Sequence, residues 1–206
     1  NDIARRVNFS KRTVSRWCND IVLDSSQKQI LWSRAKVKFN NNFKQYCERK
    51  HQKTLAKTSE LEKEGIRAIG KMNKRDLFIA GVALYWAEGF KKDMRFGFAN
   101  TDPGMIKFCL KWLKNSLGIS SREITLSVTV NISYQDKISR IEKYWQKVTG
   151  IPKFQFTKPF FQKTKWLKEY EKPDEYHGVL RIRVSKSTDL LRKIKGYIEG
   201  LKLQAV

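Results

Sequence analysis

The order of apolar and polar residues changes period several times between Lys74 and Val206. ITLSVTVN sets Ile124, Leu126, Val128 and Val130 against Thr125, Ser127, Thr129 and Asn131. GVLRIRVS sets Leu180, Ile182 and Val184 against Arg181 and Arg183. MRFGFAN alternates Met94, Phe96 and Phe98 with Arg95, Gly97 and Ala99, and KFQFTKPFF places Phe154 and Phe156 opposite Gln155 and Thr157, with Lys158 next. Strict alternation with one apolar side predicts strands that bury one face. Between these runs the period lengthens. Ile106, Leu110, Leu113 and Leu117 recur at helical spacing, as do Ile138, Ile141, Tyr144, Trp145 and Val148. Pro103 and Gly118 bracket the first of these helices. The pattern predicts an α+β domain over residues 74–206, an antiparallel sheet covered by helices on one face.

LFIAGVALYWAEG, residues 77–89, is the most apolar stretch. On a helical wheel Ala80, Gly81, Ala83, Leu84 and Ala87 gather on one side, and Phe78, Ile79, Val82, Tyr85 and Trp86 on the other. The bulky side is predicted to face this domain's sheet. The small side permits close approach of another helix, and with one such helix in the chain the expected partner is the same helix of a second copy, a homodimer. Glu88 ends the helix where the macrodipole prefers a cation.

Two regions precede this domain. In NDIARRVNFSKRTVSRWCNDIVL, Ile3, Ala4 and Val7 share a helical face, Ser10 is an N-cap, and a second helix follows with Val14 and Trp17 inward. Lys11, Arg12, Thr13 and Arg16 face outward near its start. Residues 1–23 resemble helix-turn-helix families, in part, and those four residues would then contact DNA. Residues 24–73 lack Pro, open with Asp24 or Ser25 as a cap, and repeat Leu31, Ala35, Phe39, Phe43 and Tyr46 at spacings of three and four. They read as a basic helical linker.

Charge sharpens the picture. Lys and Arg number 43 against 20 Asp and Glu, a formal net charge of +23. Such an excess sits on the surface and points to a polyanion, nucleic acid first. The strand faces that carry Thr125, Ser127, Thr129, Asn131, Gln155, Thr157, Arg181 and Arg183 offer the residue types that read base edges and phosphates, and Lys91, Lys92, Arg95 and Lys158 lie beside them. No signal peptide is read at the start. The apolar run at Leu77 falls short of the roughly 20 residues a membrane-spanning helix needs. Cys18, Cys47 and Cys109 are far apart, which fits a reducing, cytoplasmic compartment without a disulfide framework, and neither they nor His51 and His177 show zinc-ligand spacing.

GVALYWAEG resembles the motif of the LAGLIDADG homing endonucleases, with Leu84, Ala87, Glu88 and Gly89 in matching positions, Ala83 for the motif's glycine, and Trp86 where a first acid often stands. FANTDPGMIKFCLKWLKNSLGI and GVLRIRVSKSTDLLRKIKGYIEGL are similar to later segments of that domain. The resemblance implies an αββαββα saddle that binds double-stranded DNA across its sheet. It implies Mg²⁺ or another divalent cation held at Glu88 and Gly89, and Lys186 assisting Glu88 in phosphodiester hydrolysis. Three functions stay open: a dimeric metal-dependent DNA endonuclease, a non-cleaving transcriptional regulator that joins such a domain to a helix-turn-helix, and a structural nucleic-acid-binding protein in which Glu88 merely pairs with Lys91 or Lys92.

Overall fold

The structure, a computed structural model, describes residues 2–163 and 174–204. The chain divides into two units, Asn1–Gly70 and Lys71–Val206.

The first unit begins with α1 (Asp2–Arg6) and α2 (Lys11–Trp17). Asn8 turns the chain between them at φ 54°, a left-handed conformation that Asn tolerates. Ser10 Oγ accepts the Thr13 amide at 3.1 Å and starts α2. Ala4 and Val14 are the buried contacts. Trp17, expected inward, is instead 58% exposed, with its ring edge-to-face on Phe9; helices this short enclose too little space for an indole. A long helix, α3 (Ser25–Ile69), follows a capping box in which Asp24 accepts the Gln27 amide and the Gln27 side chain accepts the Asp24 amide. No α3 residue is buried, and Leu31, Phe39, Phe43 and Tyr46 line an exposed stripe.

The second unit opens with α4 (Lys74–Glu88), started by a reciprocal Asn73–Asp76 capping box. Then come β1 (Gly97–Asn100), α5 (Pro103–Leu117), β2 (Ile124–Asn131), α6 (Ile138–Thr149), β3 (Phe160–Gln162), β4 (Val179–Val184) and α7 (Thr188–Lys202). The strands form one sheet in the order β1-β4-β2-β3. Phe98, Ile182 and Leu126 stand side by side in the ladder and all are buried. With Trp112 of α5, Trp145 of α6, Leu191, Ile194 and Ile198 of α7, and Val82 and Tyr85 of α4, they form one core. Residues one position along each strand point the other way.

The α+β reading of this unit holds, with two corrections. The sheet is mixed, because β2 and β3 run parallel. The chain leaves β2, passes through α6 and returns in the same direction, as a helical crossover requires. The KFQFTKPFF segment is not a strand throughout. Pro152 and Pro159 restrict it, residues Lys153–Gln155 form a 3-10 turn, and Phe154 is 85% exposed rather than inward.

Candidate nucleic-acid interface

The outer face of the sheet is built by register. Arg183 of β4 lies between Gly97 of β1 and Thr125 of β2, and Arg181 lies between Ala99 and Ser127. All four polar side chains are half-buried at the surface, because the alternating partners Leu180, Ile182 and Val184 take the core side.

The turn between α4 and β1 folds back onto this face. The Tyr85 hydroxyl donates to the Phe90 carbonyl at 3.2 Å, and the Phe90 amide donates to the Gly97 carbonyl at 2.9 Å. Burial pushes the Tyr85 phenol up to about 12, so it stays a donor at neutral pH. The Phe90 ring then lies near both guanidinium groups, 5.4 Å from that of Arg181 and 4.9 Å from that of Arg183. Gly97 makes the room: a Cβ there would stand 2.3 Å from Phe90 Cδ2 and 2.8 Å from Arg183 Nη1. Asp93, in the same turn, accepts from Arg183 Nη1 at 2.5 Å. Arg181 Nε, by contrast, is shielded from solvent and has no hydrogen-bond partner among the described residues. A cleft of about 400 Å³ opens beside this pair, lined by Asp93, Arg95, Thr125, Thr157, Arg183 and Ser185 among others. Two cations, three hydroxyls and one acid make it a pocket suited to an anionic or hydrogen-bonding ligand.

Several of the expected contact residues are committed elsewhere. Gln155 is buried, and its amide donates to the carbonyls of Ser121 and Ile124, both at 2.6 Å. Its place in the 3-10 turn aims it inward. Asn131 is buried at the end of β2, where its side chain accepts the Ser133 amide and hydroxyl and caps the next turn. Thr129 is buried where β2 meets β3, β4 and Gly178, whose tight approach to the Thr129 carbonyl leaves no room for a Cβ. Thr157 lines the cleft, but its hydroxyl and amide both donate to the Leu126 carbonyl. Lys158, Lys92 and Arg95 are exposed.

At the far end of α4, Glu88 is exposed and its carboxylate has no hydrogen-bond or ion-pair partner among the described residues. Lys91 does not pair with it. Its ammonium donates to the carbonyls of Trp86 at 2.6 Å and Ala87 at 3.1 Å, and so caps the negative end of the helix instead of reaching outward. Gly89 is buried, and a Cβ there would meet the Tyr85 carbonyl at 2.5 Å. Glycine thus lets the chain leave the helix against Tyr85. Lys186 is exposed in the turn after β4 at φ 46°. The next residue, Ser187, is buried; its hydroxyl accepts the Phe96 amide at 2.9 Å and donates to the Val184 carbonyl at 2.7 Å.

The faces of α4 need a correction. Gly81, expected on the small outward side, is buried directly under the Trp112 indole. Trp86, expected inward, is 40% exposed. The indole of α5 demands the one position with no side chain, and this rotates the helix. Ala83 and Ala87 are exposed, Ala80 is half-buried, and Leu84 is half-buried against the core. In the first unit Lys11, Arg12 and Arg16 are exposed on α2, while the Thr13 hydroxyl is engaged with Ser10 Oγ at 2.8 Å.

Sequence reasoning assigned no role to Phe90 or Asp93. The signal available was an acid and an aromatic ring flanking a lysine pair in a turn otherwise rich in cations. In comparison with known proteins, no family model, curated protein or solved structure matches this chain. No helix among the described residues is long and apolar enough to cross a membrane.

Proposed function

We propose that this protein binds double-stranded DNA across the outer face of its sheet, with α2 supplying further contacts. The observation that carries the reading is the register that sets Arg181 and Arg183 between Thr125 and Ser127 on one side and small residues on the other. A row of two guanidiniums and two hydroxyls on a twisted ribbon suits phosphates and major-groove base edges. The excess of +23 supplies the attraction.

Cleavage is the second part of the proposal. In this reading α4, the isolated bridge between Gly89 and Phe98, β1, α5, β2, β4 and α7 would stand for the elements of an αββαββα saddle, with α6 and β3 as additions to it. Glu88, exposed and unpaired among the described residues, is free to bind a cation. In this reading a divalent ion would be held by Glu88 of two copies together with phosphate oxygens. Bound there, Mg²⁺ would supply an activated water and charge stabilisation of the leaving oxygen. Ala80, Ala83 and Ala87 leave a small-residue stripe along which two α4 helices could approach.

The test compares wild type with Glu88→Gln on a plasmid library in Mg²⁺. Nicking that disappears in the variant, with DNA binding retained, supports a nuclease. Absence of nicking by either protein supports the second reading, a non-cleaving regulator, which Trp86 in place of a first acid and the two-helix N-terminal region both favour. Failure of the wild type to bind duplex DNA overturns both.

A further inference from the structure

We propose that Asp93 is a positioning residue that holds Arg183 ready for bidentate reading of a guanine in the major groove. The inference rests on the DNA-binding reading and adds a base identity to it. Three separate features of the chain converge on one guanidinium. The Asp93 carboxylate accepts from Nη1 at 2.5 Å. The Phe90 ring lies 4.9 Å from the guanidinium carbon. Gly97, the strand neighbour of Arg183, lacks the side chain that would collide with both the ring and Nη1.

An arginine that serves only as a phosphate contact needs none of this, since a mobile cation satisfies a phosphate from many directions. A guanine presents two acceptors, O6 and N7, in one plane, and two guanidinium N–H groups must meet them together. Fixing the plane in advance removes the ordering cost at the moment of contact. Asp93 uses one N–H and leaves the remaining donors of a five-donor fork. The side chains of Arg183 and Asp93 are 34% and 40% exposed, so the fork is held yet reachable. Arg181, two residues along the same strand, has no acid partner among the described ion pairs. The contrast marks Arg183 as the arginine whose orientation the fold specifies.

The carboxylate also repels phosphate, which separates this role from simple attraction. Removing it takes away a negative charge, so affinity for unselected DNA does not fall. What falls is discrimination between bases. A bidentate arginine–guanine pair discriminates by about five- to 150-fold against the wrong base. Loss of one preorganising contact removes about two- to twelvefold of that.

The experiment selects bound duplexes from a randomised library with the full chain and compares wild type, Asp93→Asn, Asp93→Glu and Arg183→Lys by sequencing. Wild type is expected to enrich a guanine at one fixed position. Asp93→Asn should flatten that position by about two- to twelvefold without weakening binding to unselected duplex. Asp93→Glu should restore part of the preference, and Arg183→Lys should abolish it, because lysine cannot make the paired contact. Uniformly tighter binding by Asp93→Asn with the preference intact would overturn the proposal and make Asp93 a shield over a phosphate site. An unchanged preference in Arg183→Lys would overturn it as well. Both results leave DNA binding standing, whereas a wild type that binds no duplex overturns the proposed function and this inference with it.

Discussion

Replacing Gly81 by alanine tests which side of α4 faces the core. In an exposed helix this change stabilises, since alanine is favoured over glycine by about 1 kcal/mol. Here the new Cβ would stand 2.1, 2.2 and 2.4 Å from three atoms of the Trp112 ring. The indole is fully buried, with the Tyr85 ring 6.2 Å and the Phe96 ring 6.4 Å away, and cannot retreat without moving both. Overpacking of this kind costs about 1–3 kcal/mol, and these contacts belong at the upper end. The expected net effect is a loss of about 2 kcal/mol after the helix-propensity gain. Gly196→Ala provides the control, because nothing lies within 4 Å of a Cβ at that position in α7; it should gain about 0.4–1 kcal/mol. Urea unfolding followed by circular dichroism gives both values. Gly81→Ala at or above wild-type stability, in line with Gly196→Ala, would refute the placement of this helix. A Gly81 on a dimer face would instead raise the stability of the monomer, as Gly196→Ala does, and alter association.

Two further outcomes follow from the core. Ser187→Ala should cost about 1–3 kcal/mol, because it leaves the buried Phe96 amide without its acceptor; a loss below about 0.5 kcal/mol in urea unfolding would show that the tie between β1 and the turn after β4 matters little. Cys109 is 1% exposed and burial raises its thiol above the ordinary range, whereas Cys47 is exposed. A thiol reagent should modify Cys47 promptly and Cys109 only on unfolding, and equal rates in the native protein would contradict the packing of α5.

Period two in ITLSVTV and VLRIRV was enough to place Leu126, Ile182, Thr125 and Arg183 on their proper faces, because the ladder leaves no freedom once one face is buried. Ser10, Asp24 and Gly118 likewise marked helix ends locally. Other features depended on partners distant in sequence. Gly81 looked like part of a smooth small-residue stripe, and only the Trp112 indole on another helix explains why glycine stands there. Gln155 looked like an outward strand residue until the carbonyls of Ser121 and Ile124, more than thirty residues away, claimed its amide. The parallel pairing of β2 with β3 follows from the α6 crossover, which alternation alone does not encode. The role of Asp93 is not visible in sequence, because a lone acid among lysines reads as solvated until its arginine is known.

The central claim is that the outer sheet face is where DNA binds. Fluorescence anisotropy with a labelled duplex should compare Arg181→Glu/Arg183→Glu with Lys107→Glu/Lys111→Glu, a reversal of equal charge on the exposed surface of α5, the helix packed on the opposite side of the sheet. The first double variant should lose at least about a hundredfold in affinity, and the second should stay within about fivefold of wild type. Equal losses in the two variants, or unchanged binding by the first, would contradict the account.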